Sequence, residues 1–286
     1  MSDERPADPG PALDRTGYEL EVEDGFESSE LDRRLWLPHY LPHWSSRSAS
    51  AARYAVGGGR LELRIDADQP PWAPEYDGFL RVSSFQTGSR SGPVGSGVGQ
   101  LQFREGLVVR EAQPALALYT PQYGLFELRA RAVDDPANMV ALWMIGLEDR
   151  PERSGEICIF EIFGRDVGAD EARIGMGVHP WADPSLTDEF AALPVAIDAR
   201  EPHWYAAVWT PDAVAFYVDE RRVTLVRQSP AYPMQFMLDI YEFADGPEPA
   251  SPPERYPKAF VVERFRGYRP ISGPGARPSA FPTGEQ

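Results

Sequence analysis

Two glutamates stand inside one apolar segment, Gly155-Glu156-Ile157-Cys158-Ile159-Phe160-Glu161-Ile162-Phe163-Gly164. β-Branched and aromatic residues between two glycines predict a buried strand. Carboxylates are seldom fully buried, because an ionised group taken out of water needs a partner. Side chains alternate along a strand, so Glu156 and Glu161 would face opposite ways in a plain one. A single β-bulge between them restores a common face, and bulges are frequent beside active sites. Two carboxyl groups on one sheet face are what glycoside hydrolysis uses. One attacks the anomeric carbon or activates water, and the other protonates the leaving oxygen. The segment points to an enzyme that cuts sugars.

Other chemistry-bearing residues are fewer. Cys158 is the only cysteine, which excludes an internal disulfide and a zinc site built from several thiolates. It lies mid-strand with no basic partner in the segment, which argues against a thiol nucleophile. The glycines between Gly88 and Gly99 lead to no Lys-Ser/Thr pair and no helix signal, so they form no phosphate cradle. His39-Tyr40-Leu41-Pro42-His43-Trp44 crowds rings into a short loop. There His43 and Trp44 suit either a sugar-stacking rim or a hydrophobic plug over one end of the fold. The loop around Trp72, Pro70 to Gly78, is either a second cleft wall or a surface loop of structural role.

The elements that must position these residues are strands. Aromatic residues make up 12% of the chain, with 29 prolines and 25 glycines, a turn-rich usage that favours many short strands. Alternating runs recur at Tyr18–Phe26, Arg60–Ile65 and Tyr119–Arg131. All-β sandwiches of this length commonly form one unit. Composition predicts a disordered tail over residues 1–17 and a proline- and glycine-rich tail over 271–286. The net charge of −16 opposes nucleic-acid binding and mildly disfavours an anionic polysaccharide. No run is long enough to span a membrane, and Met1 to Gly10 has no apolar core of a signal peptide. As written, the expectation is a cytoplasmic protein, secreted only if an upstream segment is missing.

Glu156-Ile-Cys158-Ile-Phe-Glu161 resembles the Glu-x-Asp-x-x-Glu signature of the glycoside hydrolase family 16 β-glucanases and their relatives. The flanks agree: Ala141-Leu142-Trp143-Met144 precedes it, and Gly155 and Gly164 bracket it. Tyr123-Gly124-Leu-Phe126-Glu-Leu-Arg129 and the His203-Trp-Tyr205 to Phe216-Tyr-Val-Asp219 hairpin also resemble that family. The likeness covers roughly residues 18–270. It implies one concanavalin A-like jelly roll, two antiparallel sheets with the cleft on the concave one.

The resemblance further implies a retaining mechanism on a β-linked polysaccharide or oligosaccharide. Glu156 would be the nucleophile and Glu161 the acid/base, with Trp143 and Trp181 binding substrate. His179, ending the strand after the motif, would orient substrate or the acid/base. One position departs: the middle Asp, which hydrogen-bonds the nucleophile, is Cys158. A thiol is a weak donor, so Glu156 loses a strong orienting partner, and a nearby Trp or His would have to compensate. Two other readings stay open: a non-catalytic carbohydrate-binding protein on the same scaffold, and a transglycosylase. No cofactor is required. A structural calcium is implied near Glu263 and Gly59, although Glu263 in place of Asp moves the carboxylate outward by a methylene. A monomer is expected.

Overall fold

A computed structural model describes residues 10–271. Two antiparallel sheets dominate it, as expected of a sandwich. The eight-stranded sheet runs in the order Arg221–Val226, Val214–Val218, His203–Trp209, Gly124–Arg131, Lys258–Pro270, Arg60–Ile65 and Arg53–Gly57, and Tyr18–Asp24 also pairs with Lys258–Pro270. The six-stranded sheet runs Glu189–Val195, Ala172–His179, Glu156–Phe163, Asn138–Gly146, Met234–Glu242 and Arg81–Gln86. The predicted strand carrying both glutamates is thus an interior strand of the smaller sheet.

Between the sheets lies the main core, with Trp36, Phe85, Phe126, Phe160, Phe236 and Phe260 fully buried in it. Each such side chain contributes roughly 1.5–3 kcal/mol of burial free energy. The smaller sheet is apolar on its second face too. Trp143, Ile145, Met237 and Tyr241 project from that face and pack under loops carrying Tyr40, Trp44, Trp72, Leu101 and Val109. Double-sided burial explains why Asn138–Gly146 and Met234–Glu242 read as nearly unbroken apolar runs, with every residue buried.

Those loops correct three expectations. His43, Trp44 and Trp72 are each 1% exposed and form no sugar-stacking rim. His43 Nε2 lies 3.0 Å from the carbonyl oxygen of Gln100, and Trp44 Nε1 donates to the same oxygen at 2.9 Å. A Cβ on Gly99 would come within 2.5 Å of the His43 ring, so glycine is what lets the 88–109 loop settle on this pair. The two rings are the plug, not the rim. Trp72 packs edge-on against Tyr40 at 4.7 Å and donates its indole N–H to Asp77, which keeps it below the cleft surface.

The tail expected over residues 1–17 is packed from Gly10 on. Ala12 bridges Arg221, Leu13 is buried, and Arg15 pairs with Glu220 and with the buried carboxylate of Glu127. Residues 1–9 and 272–286 lie outside the described residues. At the other end, the Ile271 amide donates to the Gly17 carbonyl.

Candidate active site

The Glu156–Phe163 strand contains the bulge. Trp143 pairs with Cys158 and Leu142 with Phe160, so Ile159 is an extra residue against the neighbouring strand. The strand on the other side shows the same slip, with Gly177 opposite Cys158 and Gly175 opposite Glu161. Ile157, Ile159, Phe160 and Ile162 all enter the core between the sheets, while Glu156, Cys158 and Glu161 line one cavity on the opposite face. That cavity has a volume of about 260 Å³, and its aromatic walls include Tyr40, Trp143, Trp181, Tyr241 and Phe243.

Glu156 is 9% exposed, and Trp181 Nε1 donates to its Oε2 at 2.8 Å. Burial pushes its carboxyl up to about 8, against the Trp181 hydrogen bond that favours the ionised form; the negative charges of Glu161 and Asp239 push the same way as burial. Glu161 is half-buried between the small residues Ala141 and Gly175 on neighbouring strands. Burial raises its carboxyl as well, opposed by the charge of Arg165, whose guanidinium lies 3.9 Å from the Phe163 ring centre. The charge of Glu161 thus bears on the ionisation of Glu156.

Cys158 is buried, its thiol held far above its usual range by burial and by both glutamates. The thiol stays protonated, and it points to the Gly175 carbonyl at 3.8 Å. A nucleophilic thiolate is therefore excluded here. His179 pairs with Glu156 across the ladder, which puts it on the same face. Its Nδ1 lies 3.0 Å from Asp188 Oδ1, and its ring rests on Phe190.

The turn carrying Trp181 is pinned on both sides. Ala182 N–H donates to Ser154 Oγ at 2.9 Å, and Tyr232 OH donates to Asp183 at 2.7 Å. Tyr232 OH in turn accepts the Gly155 N–H at 2.6 Å, tying the turn to the start of the glutamate strand. Trp181 itself has φ +46° and is 45% exposed. A non-glycine residue held in the left-handed region is costly, of the order of 1–2 kcal/mol, and persists where its surroundings fix it. Its ring also borders a second cavity of about 500 Å³ that shares Leu101 and includes Arg90 and Glu148. Desolvation raises the half-buried Glu148 to about 7.

The sequence missed one wall residue, Phe243, and the buried acid behind another, Trp143. Phe243 is exposed and stacks between Phe163 and Tyr241 at the Glu161 end; Asp239, raised to about 7 by burial, accepts the Trp143 indole N–H. Phe243 follows the strand Met234–Glu242 directly, but nothing in its spacing marks it as a wall. Glu263 is paired with Arg129 at 3.2 Å, and the carboxylate beside Gly59 is that of Glu27. Among the described residues no group of three or more His, Cys, Asp or Glu side chains gathers to hold a metal.

A family profile described as Glycosyl hydrolases family 16 matches residues 118–253, a span containing both glutamates and the bulge. Those residues carry a domain of that family. Among solved structures it is similar to the GlcNAcα1-4Gal-releasing endo-β-galactosidase from Clostridium perfringens, at 30% identity and a TM-score of 0.77 over 93% of this chain. The chain spans 66% of that protein's length. A laminarinase from Rhodothermus marinus aligns at 20% identity with a TM-score of 0.61, covering 89% of this chain and 98% of its own. The endo-β-1,3-glucanase from Pyrococcus furiosus gives 18% and 0.59, over 90% and 96%. At that identity the two glucanases show the shared sandwich alone. No curated protein sequence matches the chain. Against the family 16 motif, this domain keeps both glutamates and has Cys158 between them.

Proposed function

We propose that this protein hydrolyses internal β-glycosidic bonds of a neutral polysaccharide or oligosaccharide with retention at the anomeric carbon. The observation that carries the reading is the bulge at Ile159, which sets Glu156 and Glu161 on one cavity wall. Retention calls for carboxyl groups about 5–5.5 Å apart, without room for a water between them and the sugar. In the first step a Glu156 oxygen bonds to the anomeric carbon as the glycosidic C–O bond breaks, and the leaving oxygen takes the Glu161 proton. In the second, water attacks that carbon, Glu161 accepts the water's proton, and the Glu156 carboxylate is released. Aromatic walls at Trp143, Trp181 and Phe243 suit the C–H faces of pyranose rings. The 30% identical relative is an endo-β-galactosidase, which favours a β-galactoside at the cleaved position over a β-glucoside.

The test is covalent trapping. An activated 2-fluoro-β-galactoside should add one sugar to Glu156, located by peptide mass mapping. Binding of saccharide with no label at any pH would instead favour a non-catalytic carbohydrate-binding protein, the reading that Cys158 supports. Product sizing on neutral β-galactans and β-glucans assigns the linkage, and added acceptor sugars distinguish hydrolysis from transfer.

A further inference from the structure

The thiol that replaces the motif's middle carboxyl does nothing for Glu156. Cys158 Sγ is directed to the Gly175 carbonyl, and His179 is engaged with Asp188. Among the described residues, the one hydrogen bond received by the Glu156 carboxyl comes from Trp181, at 2.8 Å. We propose that Trp181 is a positioning residue whose indole N–H takes over the orienting work that Cys158 cannot do. The proposal rests on the reading of Glu156 as nucleophile.

Three features make the donor more than a passing contact. The turn is held by Ser154 on one side and by the Asp183–Tyr232–Gly155 chain on the other, so the indole's approach is set by the strand it serves. The backbone at Trp181 keeps a left-handed φ of +46°, a conformation that a residue used only as an exposed stacking platform does not need. The carboxyl itself is buried, where a single hydrogen bond to the ionised form is worth most. Trp181 also separates the reaction cavity from the larger one beside Arg90 and Glu148, so a saccharide occupying the second cavity would press on the group that holds the nucleophile.

The chemistry of the donor follows from where charge appears. Glu156 loses its negative charge when it bonds to the sugar and regains it when water displaces it. An N–H aimed at Oε2 therefore stabilises the departing carboxylate in the second step, as well as fixing its direction in the first. Removing the donor should slow release of the covalent sugar more than it weakens binding.

Trp181→Phe keeps an aromatic face and removes the N–H. The expected result is a kcat lower by about 10–100-fold, the range for a hydrogen bond to a charged group, with KM changed less than about threefold. The acidic limb of the pH–rate profile should move to higher pH, and the 2-fluoro-sugar adduct should turn over more slowly than in the parent. Cys158→Asp added to Trp181→Phe should recover part of the lost kcat, because a carboxyl partner is restored. Trp181→His, whose ring can still donate, should lie between parent and Phe, and it serves as the second variant if Phe fails to fold. A Phe variant that only raises KM, with the limb and adduct lifetime unmoved, would falsify the proposal, as would a loss that Cys158→Asp does not lessen. If the parent takes no label on Glu156, the reading of the reaction fails instead, so the two failures are told apart.

Discussion

Glu156 must be ionised to attack, yet burial holds its carboxyl near 8. Activity therefore has to rise with pH through a range well above that of ordinary carboxylates. We expect kcat/KM to climb from pH 5 to about 8, where an exposed glutamate would already be fully ionised. A profile flat from pH 5 upward contradicts the burial seen here. Glu161 has the opposite need, since it must hold a proton, and burial keeps it raised. Glu161→Gln should lose about 10²–10⁴-fold on a natural saccharide but much less on an aryl glycoside whose leaving group departs without a proton. Steady-state rates on the two substrates measure the contrast. At this scale the sequence was informative about which acids matter, because carboxylates in an apolar strand are conspicuous. It was silent about Trp181 as a donor: an indole's N–H direction depends on a turn tied through Tyr232, a residue remote in the chain.

At the scale of the element, an odd spacing of two acids and an alternating strand are compatible only through an irregularity, which the strand supplies at Ile159. The same geometry makes a paired prediction. Inserting one alanine between Phe160 and Glu161 should turn Glu161 into the core and abolish activity. Deleting Ile159 should instead leave a plain alternating strand with both acids still facing the cavity. That variant loses a buried side chain, at a cost of about 2 kcal/mol or more, but keeps measurable turnover. Activity assays with a thermal melt on both variants decide it. The ring-rich loops were harder to read. A tryptophan beside prolines can be a rim or a plug, and the choice at Trp44 and His43 was made by one distant carbonyl, that of Gln100.

For the whole molecule, the desolvated acids have a collective cost. Glu148, Glu156 and Asp239 are all raised to between about 7 and 8, far above their unfolded values. A carboxyl that binds its proton more tightly folded than unfolded favours the folded state as pH falls through that interval. Ion-paired surface carboxylates such as Glu23 are lowered and act oppositely, but only below about pH 4.5, where unfolded carboxyls take up protons. Stability should therefore fall as pH rises from about 5 to 8. Asp239→Asn should raise Tm at pH 8 by at least about 2–4 °C, the shift that ~1 kcal/mol gives in a large domain, and should flatten the trend. Scanning calorimetry at pH 5 and 8 tests both. Strands were legible from alternating runs spread along the chain, and their arrangement in two sheets from the resemblance to family 16. The clasp of Arg15 onto Glu127 was not, since no local pattern signals that an N-terminal arginine will neutralise a buried acid in a strand far along the chain.

Cys158 has one more consequence. A lone thiol, sealed in the middle of a sheet and kept protonated, gives the molecule its own internal clock. That sulfur lies at the floor of the groove, so an aromatic disulfide reagent reaches it only when the groove opens or the glutamate strand parts from its neighbours, and the colour released per hour counts those openings without any label being introduced. A sugar that lodges in the groove should make the clock run slow, in proportion to how tightly it is held.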